Sequence, residues 1–460
     1  MSKHLVQVDR DTPMLLPVDM REWIQDDDLV HFVIQSVETL PLHKLKFNHK
    51  GSGSDQYPPR MMLGLLIYCY SMGIFSSRRI QRATYRDVGV RYLTGDTHPD
   101  HDTICAFRVN NLDLIKETFH QVLTIARELG ILKVGEISVD GTHIQANASK
   151  HKSVGYQRAG ELQEQLRLDI DELMKKAQTA DNQKIDDGQR LPESIARREN
   201  LMEKMVEARR RIQEQDKARF AAEQAEYEAK MARRKEREDE GKNNPPNGPK
   251  PPSPEPSPTE LINLTDADSR LMRKSPTAEI RQAYNMQTAV DTDTMLMLAT
   301  DVTQCANDSN QLESMVGAVD PRIGRPTRVL ADTGYMNVEA MERLEKDGYE
   351  LFVAVGRTDN HGQRTYDFRP PEMVKTTDDA PRDPRLKKMR EKLQTPAGKA
   401  TYNRRKETVE PVFGIIKAAM GFRQCLLRGL KKVTGEWSLV ALAFNFRRLW
   451  NIQKAQQVVV

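Results

Sequence analysis

Apolar and polar positions recur with different periods along this chain, and the changes of period mark its parts. From Leu29 to Leu40, and again from Arg60 to Met72, the apolar residues fall at helical spacing. The second segment is strongly apolar, with Leu63, Leu65, Leu66, Ile67 and Tyr68, and Gly73 ends it. Ser76-Ser77 is an N-cap signal for a helix beginning Arg78-Arg79-Ile80. Thr94-Gly95-Asp96 breaks the pattern, and a final helix is expected from Ile104 to Leu129. Short helices with arginines in a first turn suit a helix-turn-helix DNA reader, with Arg78 and Arg79 as DNA contacts. They suit a small helical bundle without a ligand equally well.

The period then shortens to two. Ile137, Val139 and Ile144 predict a strand over 135–148, with Asp140 at the end of its first run, before Gly141. Asp140 can project into a cleft there, or Asp140-Gly141 can form a hairpin turn. Residues 151–242 change character, since about half of those from Glu161 to Glu240 are charged, with mixed signs. Leu162, Leu166, Leu173, Ile195, Leu201, Met205 and Ile212 recur at helix-compatible spacing. They predict two long helices, an antiparallel coiled-coil-like hairpin broken near Asp186-Asp187-Gly188. The proline-rich stretch 243–258 is a linker.

Order resumes at about Leu264. Strand patterns at Tyr284–Val290 and Met295–Val302 flank a turn at Asp291-Thr292-Asp293. A helix over Ser309–Val319 follows, with Asp308 as its N-cap. Arg328–Ala331 is a short apolar strand ending at Asp332, Val338–Asp347 an amphipathic helix, and Tyr349–Val355 another buried strand. An irregular stretch, 356–400, leads to a last helix around Thr401–Lys417. With the insertion removed, the order is that of a mixed α/β sheet with helices on its faces.

Bulk properties narrow the class. At 460 residues the chain can build two or three domains. No apolar run approaches membrane-spanning length and the first residues lack a signal-peptide core, so a cytoplasmic protein is expected. The four cysteines, Cys69, Cys105, Cys305 and Cys425, lie far apart, without metal-ligand spacing, and are expected to be small core residues. Charge is distributed unevenly: from Arg382 to Val460 there are 18 Lys/Arg against 5 Asp/Glu. A block of that kind is the footprint of a phosphate-backbone binder or a solvated helical surface. No glycine-rich phosphate loop occurs, so a nucleotide cofactor is not expected.

Three carboxylates stand out. Asp140 and Asp332 close their strand runs, and Glu410 lies on the last helix amid Arg405, Lys406 and Lys417. If the first and fourth strands are neighbours, both aspartates emerge at the same end of the sheet, where α/β sites cluster. Converging carboxylates repel, and divalent cations are the usual compensation. Two ions roughly 3.5–4 Å apart suit phosphodiester chemistry, and hard oxygen ligands select Mg²⁺ or Mn²⁺. Of the competing groups, Glu407 lies on a neighbouring helical face, Asp291 and Asp301 shape the hairpin, and His143 and His151 lack ligand companions.

Several blocks together resemble the DDE transposases of bacterial insertion sequences. Tyr57-Pro58-Pro59-Arg60, Ser76-Ser77-Arg78-Arg79-Ile80, Pro99-Asp100-His101-Asp102-Thr103 and Phe107-Arg108 are similar to that family's helical N-terminal domain. Val139-Asp140-Gly141-Thr142, Ala331-Asp332-Thr333-Gly334-Tyr335 and Glu410-Pro411-Val412-Phe413-Gly414 with Lys417 resemble its three catalytic blocks. The resemblance implies an RNase H-like fold in which Asp140, Asp332 and Glu410 hold two metal ions. It implies DNA cleavage by water at the element's ends, then attack of the freed 3′-hydroxyl on target DNA.

The family's tyrosine–arginine–glutamate–lysine signature falls on Tyr402, Arg405, Glu410 and Lys417. One extra residue between Arg405 and Glu410 lets Lys406 share the arginine's place, and one phenol and three cations, Tyr402, Arg405, Lys406 and Lys417, become expected DNA-phosphate contacts. A homodimer on DNA is implied, because two ends are processed together. An RNase H-like endonuclease without strand transfer and a non-catalytic DNA-binding scaffold are the alternatives. The expected organisation is a helical N-terminal domain (1–130), a catalytic core (135–150 and 264–450), a charged helical insertion (151–242) and the linker (243–258).

Overall fold

Asp28 opens the first described helix, α1 (Leu29–Thr39), its carboxylate accepting from Val30 N at 2.8 Å. The computed structural model describes residues 19–41, 56–183, 191–239, 248–253, 260–273, 277–356 and 383–458. Pro59 begins α2 (Pro59–Ser71) at the position where a missing N–H costs nothing, and the helix is buried from Met62 to Ser71. Gly73 ends it with φ +76°. Next come α3 (Ser77–Arg86), α4 (Val88–Leu93), α5 (His101–Asn110) and α6 (Leu112–Glu128). The helix expected over Ile104–Leu129 is thus two, interrupted at Asn111. Ser76 flanks α3 as expected, yet its side chain makes no capping bond.

Beyond these helices the chain enters a mixed sheet. Its strands are β1 (Glu136–Gln145), β4 (Arg270–Met272), β5 (Arg281–Asp291), β6 (Met297–Thr303), β7 (Arg328–Ala331) and β8 (Glu350–Val353), while β2 (Ser153–Gly155) and β3 (Leu261–Asn263) form a separate small pair. β5, β1, β7 and β8 lie side by side, with β4 and β6 on the outer edge of β5. β5 runs antiparallel to β1, and β1, β7 and β8 are mutually parallel. The short helices α9 (Leu312–Gly317) and α10 (Val338–Lys346) make the connections around β7. This is the RNase H-like mixed α/β arrangement, with a helical region before it and a long helical insertion after its first strand.

Two details of the strand reading are corrected. Asp140 does not end β1, and Asp140-Gly141 is no hairpin turn: the strand runs on to Gln145, and the pair faces Thr288 and Gln287 of β5. The physical reason is that β5 continues bonding β1 past the point where β7 stops. The 291–293 turn is as expected, with Asp291 accepting from Thr294 N at 2.9 Å and Thr294 Oγ1 at 2.7 Å.

The insertion consists of α7 (Tyr156–Gln183) and α8 (Leu191–Asp239). They pair antiparallel, since Arg209 reaches Tyr156 and Gln163 while Arg198 reaches Asp169. Leu166, Met205, Ala208 and Ile212 pack with Val154 and Ile262 of the small sheet. Leu201, expected on this seam, is 40% exposed, and neighbouring Met202 packs there instead. The break at Asp186-Asp187-Gly188 lies outside the described residues, as does most of the linker.

After residue 382 the expected irregular stretch is helical: α11 (Pro384–Gln394) and α12 (Pro396–Gly414). Nor does α12 end the chain's helices, because α13 (Leu430–Val458) follows it. Leu439 to Phe446 of α13 are buried on every side. The helix runs between the N-terminal helices and the sheet: Ser71 Oγ donates to Ala443 O at 2.9 Å, and Asn445 exchanges two hydrogen bonds with the Met297 backbone at 2.8 and 2.9 Å. One continuous hydrophobic core therefore joins α1–α6 to the sheet. Of the cysteines, Cys69 and Cys425 are buried as expected, Cys105 is half-buried, and Cys305 is exposed on the loop after β6.

Candidate active site

The parallel pairing of β1 with β7 ends at Val139↔Ala331. The next residue along each chain segment is an aspartate, so Asp140, still paired to β5, and Asp332, where β7 gives out, come side by side. Asp332 turns the chain into a 3-10 turn, its Oδ1 accepting from Gly334 N at 2.8 Å. Burial drives both carboxyls up. Asp140 rises to about 7, held back by Arg405 and pushed further by the charge of Asp332. Asp332 is raised for the same reason, again against Arg405 and with Asp308 adding to it.

α12 supplies the third wall. Thr395 caps it, accepting from Gly398 N at 2.9 Å, and Pro396 occupies its first turn. Arg405, Val409, Val412 and Phe413 form its buried face, and Phe413 stacks on Trp437 of α13 at 6.4 Å. Arg404 pins the helix to the hairpin end, pairing with Glu136 at 2.9 Å and with Asp293. Pro411 removes one helical N–H, and the backbone widens into a π-helical turn over Ile415–Ala419.

On that face Arg405 lies between two of the carboxylates. It donates to Asp140 Oδ2 at 3.2 Å and to Glu410 Oε1 at 3.0 Å. Burial opposes its charge, but Asp140, Tyr402, Asp332 and Glu410 together raise its pKa. Glu410 remains about half exposed, at 51%. Of Arg405 and Lys406, Arg405 is the one buried against the carboxylates, while Lys406 is exposed. Tyr402 carries its ring 6.0 Å from the Arg405 guanidinium. Lys417, on the π turn, donates to Thr142 Oγ1 and to His143 O at 3.4 Å.

Arg78 and Arg79 lie far back in the chain, exposed on α3. Arg82, Arg86 and Tyr85 are exposed on the same helix, and Tyr85 stacks on His98 at 3.8 Å. Among the described residues, none of these four arginines forms an ion pair.

Asp308 departs from its expected role. α9 starts later, with Gln311 at its cap and no side-chain bond there. The Asp308 carboxylate instead faces the site, accepting from Asn285 Nδ2 at 2.7 Å and Gln287 Nε2 at 2.6 Å. No local signal marks this role, because an aspartate shortly before a helix has a sufficient capping explanation. His143 Nε2 meets Ala306 O at 3.3 Å and His151 is exposed, so the donors at the sheet end are carboxylates. Among the described residues, the trio whose ligand atoms all lie within 4.8 Å of one another is elsewhere: Asp100, His101 and Asp102. It is a helix cap, Asp100 accepting from Asp102 N and Thr103 N at 2.8 Å.

An RNase H-like sheet with paired aspartates at its open end defines a class of nucleic-acid-processing proteins. The family comparison names the member. The model of the transposase DDE domain matches residues 259–446, and that of a second transposase domain, DUF772, matches residues 18–110. Both matched stretches are transposase domains, and together they support a DDE transposase of the insertion-sequence kind with DNA as its partner. Comparison with curated proteins and with solved structures gives no match. Among the described residues, no helix is long and apolar enough to cross a membrane.

Proposed function

We propose that this transposase cleaves DNA at the ends of its element with water and joins the freed 3′-hydroxyl to target DNA, with Asp140, Asp332 and Glu410 as the catalytic carboxylates. The observation that carries the reading is the Val139↔Ala331 pairing, after which Asp140 and Asp332 stand side by side at the end of β7, with Arg405 of the helix bearing Glu410 paired to Asp140. The donor set is all hard oxygen, which fits a divalent cation. Two Mg²⁺ or Mn²⁺ ions held by these residues would supply positive charge at the attacking and leaving oxygens.

The chain's own residues do the rest. Arg405 holds Asp140 and Glu410 in one orientation through its two nitrogens. Tyr402, Lys406 and Lys417 offer phosphate contacts around the carboxylates, and Lys417 is already aimed at the β1 segment after Asp140. A cleft of about 660 Å³ beyond the end of β1 is lined by Lys150, His151, Lys152, Arg281 and Arg428, with Glu279 paired to Lys150 and Arg281, and its excess of cations offers a path for a nucleic-acid backbone. The arginine face of α3, with Arg78 and Arg79, is proposed to bind the element's end sequence. We further propose a homodimer on DNA, assembled through α7 and α8. A variant lacking residues 160–258 that still dimerises on DNA would exclude that interface.

One assay tests the reading. Labelled element-end DNA is incubated with a target plasmid, Mg²⁺ and the protein. Joined products are expected. Cleavage without joining would make the protein an endonuclease, and shifted but uncut DNA would make it a scaffold. Retention of strand cleavage by Asp332→Asn would remove Asp332 from the site.

A further inference from the structure

The loop between β6 and α9 holds Asp308 in a way that capping does not require. Only its backbone carbonyl serves the helix start, accepting from Gln311 N at 2.9 Å. Its Oδ1 is held by two amides on β5, Asn285 and Gln287, which stand two residues apart and so share a face of the sheet. Gln287 is itself fixed: it is fully buried, its Oε1 accepts from Tyr335 Oη, and its backbone carbonyl accepts from Trp437 Nε1 at 3.1 Å. Asn285, 1% exposed, donates to Cys305 O at 3.1 Å as well as to Asp308. Two acceptors on its Nδ2 fix the amide's orientation, and its buried Oδ1 has no hydrogen-bond partner among the described residues. An orphaned buried oxygen of that kind costs free energy unless something meets it.

Two glycines report where these groups point. A Cβ on Gly141 would lie 2.7 Å from Asp308 Oδ1 and 3.0 Å from Asn285 Oδ1. A Cβ on Gly334 would lie 3.0 Å from Asp332 Oδ1 and 3.5 Å from Asp308 Oδ2. Asp308 therefore borders the same small volume as Asp332, next to the residue following Asp140. Arg405 compensates Asp140 and Glu410. Among the described residues, neither Asp308 nor Asp332 forms an ion pair. Two partly buried carboxylates facing one volume, neither in an ion pair among the described residues and Asp332 opposed by Arg405 only at longer range, are a ligand set for a cation.

We propose that Asp308 is a fourth carboxylate of the metal centre, binding one divalent cation together with Asp332 and oriented for it by Asn285 and Gln287. The proposal rests on the metal-dependent reading above. It gives the two buried amides a purpose, which is to hold one carboxylate oxygen so that the other faces the ion.

The test is Mn²⁺ binding to the full-length, DNA-free protein, followed by calorimetry and by the electron paramagnetic resonance signal of free Mn²⁺. Asp308→Asn keeps an oxygen for the two amides and removes only the charge. It is expected to weaken Mn²⁺ binding at least tenfold, as Asp332→Asn does, with circular dichroism unchanged and the surface variant Glu391→Gln binding normally. Loss in Asp332→Asn but not in Asp308→Asn would overturn the proposal and leave the metal-dependent reading intact. Absence of Mn²⁺ binding by the unaltered protein would overturn both. A second measurement needs no variant: Fe²⁺-generated hydroxyl radicals should cut the chain near residues 140, 332 and 308. Cuts near 140 and 332 without one at 304–311 would overturn the proposal even if Asp308→Asn failed to fold.

Discussion

Arg405 donates to Asp140 Oδ2 at 3.2 Å, so a helix near the end of the chain supplies the counter-charge for an aspartate on the first strand. That charge opposes the upward push of burial on the Asp140 carboxyl. Arg405→Ala is therefore expected to raise the Asp140 pKa further. DNA cleavage should fall more than tenfold near neutral pH, and the acid limb of the pH–rate profile should move to higher pH. Arg405→Lys keeps a charge but cannot fork to Asp140 and Glu410 together, so the limb should shift less while the rate still drops. An unmoved acid limb in Arg405→Ala would separate Arg405 from Asp140 ionisation.

The raised Asp140 pKa has a consequence for stability. A carboxyl near 3.8 when unfolded and about 7 when folded binds its proton more tightly in the native state. By linkage its contribution falls as pH rises from about 4 to 7, opposite to the usual salt-bridged carboxylate. In metal-free buffer Asp140→Asn should therefore raise the melting temperature at pH 8 and change it little below pH 4. The check is a pair of thermal melts across that range with a chelator present. Mn²⁺ should raise the melting temperature of the unaltered protein and not of the variant.

Gly141 has no room for a side chain. A Cβ there would press on Gln287 Nε2 and Asp308 Oδ1, and Gln287 is locked by Tyr335 and Trp437. Gly141→Ala should cost about 1–3 kcal/mol of stability in urea unfolding, the range for overpacking a well-filled site. Strand cleavage should fall by more than the stability loss explains, because the displaced groups border the carboxylates.

Glu436 is fully buried at the start of α13, accepting from Leu426 N and Leu427 N at 3.0 Å. Burial raises its pKa, opposed by those two N–H groups and by Arg108. Glu436→Ala would orphan two buried donors and should cost about 3 kcal/mol in urea unfolding. The loop it holds carries Arg428, which lines the basic cleft. Binding of non-specific DNA should therefore weaken and lose part of its salt dependence.

Much of the fold follows from local pattern. Alternating or continuously apolar runs located β1, β5, β6, β7 and β8, because a strand half or wholly buried must alternate or stay apolar over its length. The charged, glycine-poor stretch after residue 151 located α7 and α8, since such a composition can build helices but no independent core. α13 escaped because its middle, Leu439 to Phe446, is buried on all sides and so has no polar face to reveal a helical period.

The sequence by itself determined which residues carry the chemistry to be tested. Asp140, Asp332, Glu410 and Lys417 stand in distinctive local contexts, and the part of α12 from Thr401 onward follows from its apolar face. The tertiary structure decided their relations. Strand register alone puts Asp140 beside Asp332, helix packing alone selects Arg405 over Lys406, and two amides on β5 alone turn Asp308 from an apparent cap toward the site. Those relations depend on hydrogen bonds between residues far apart in the chain, and no local period or spacing encodes the distance at which they meet.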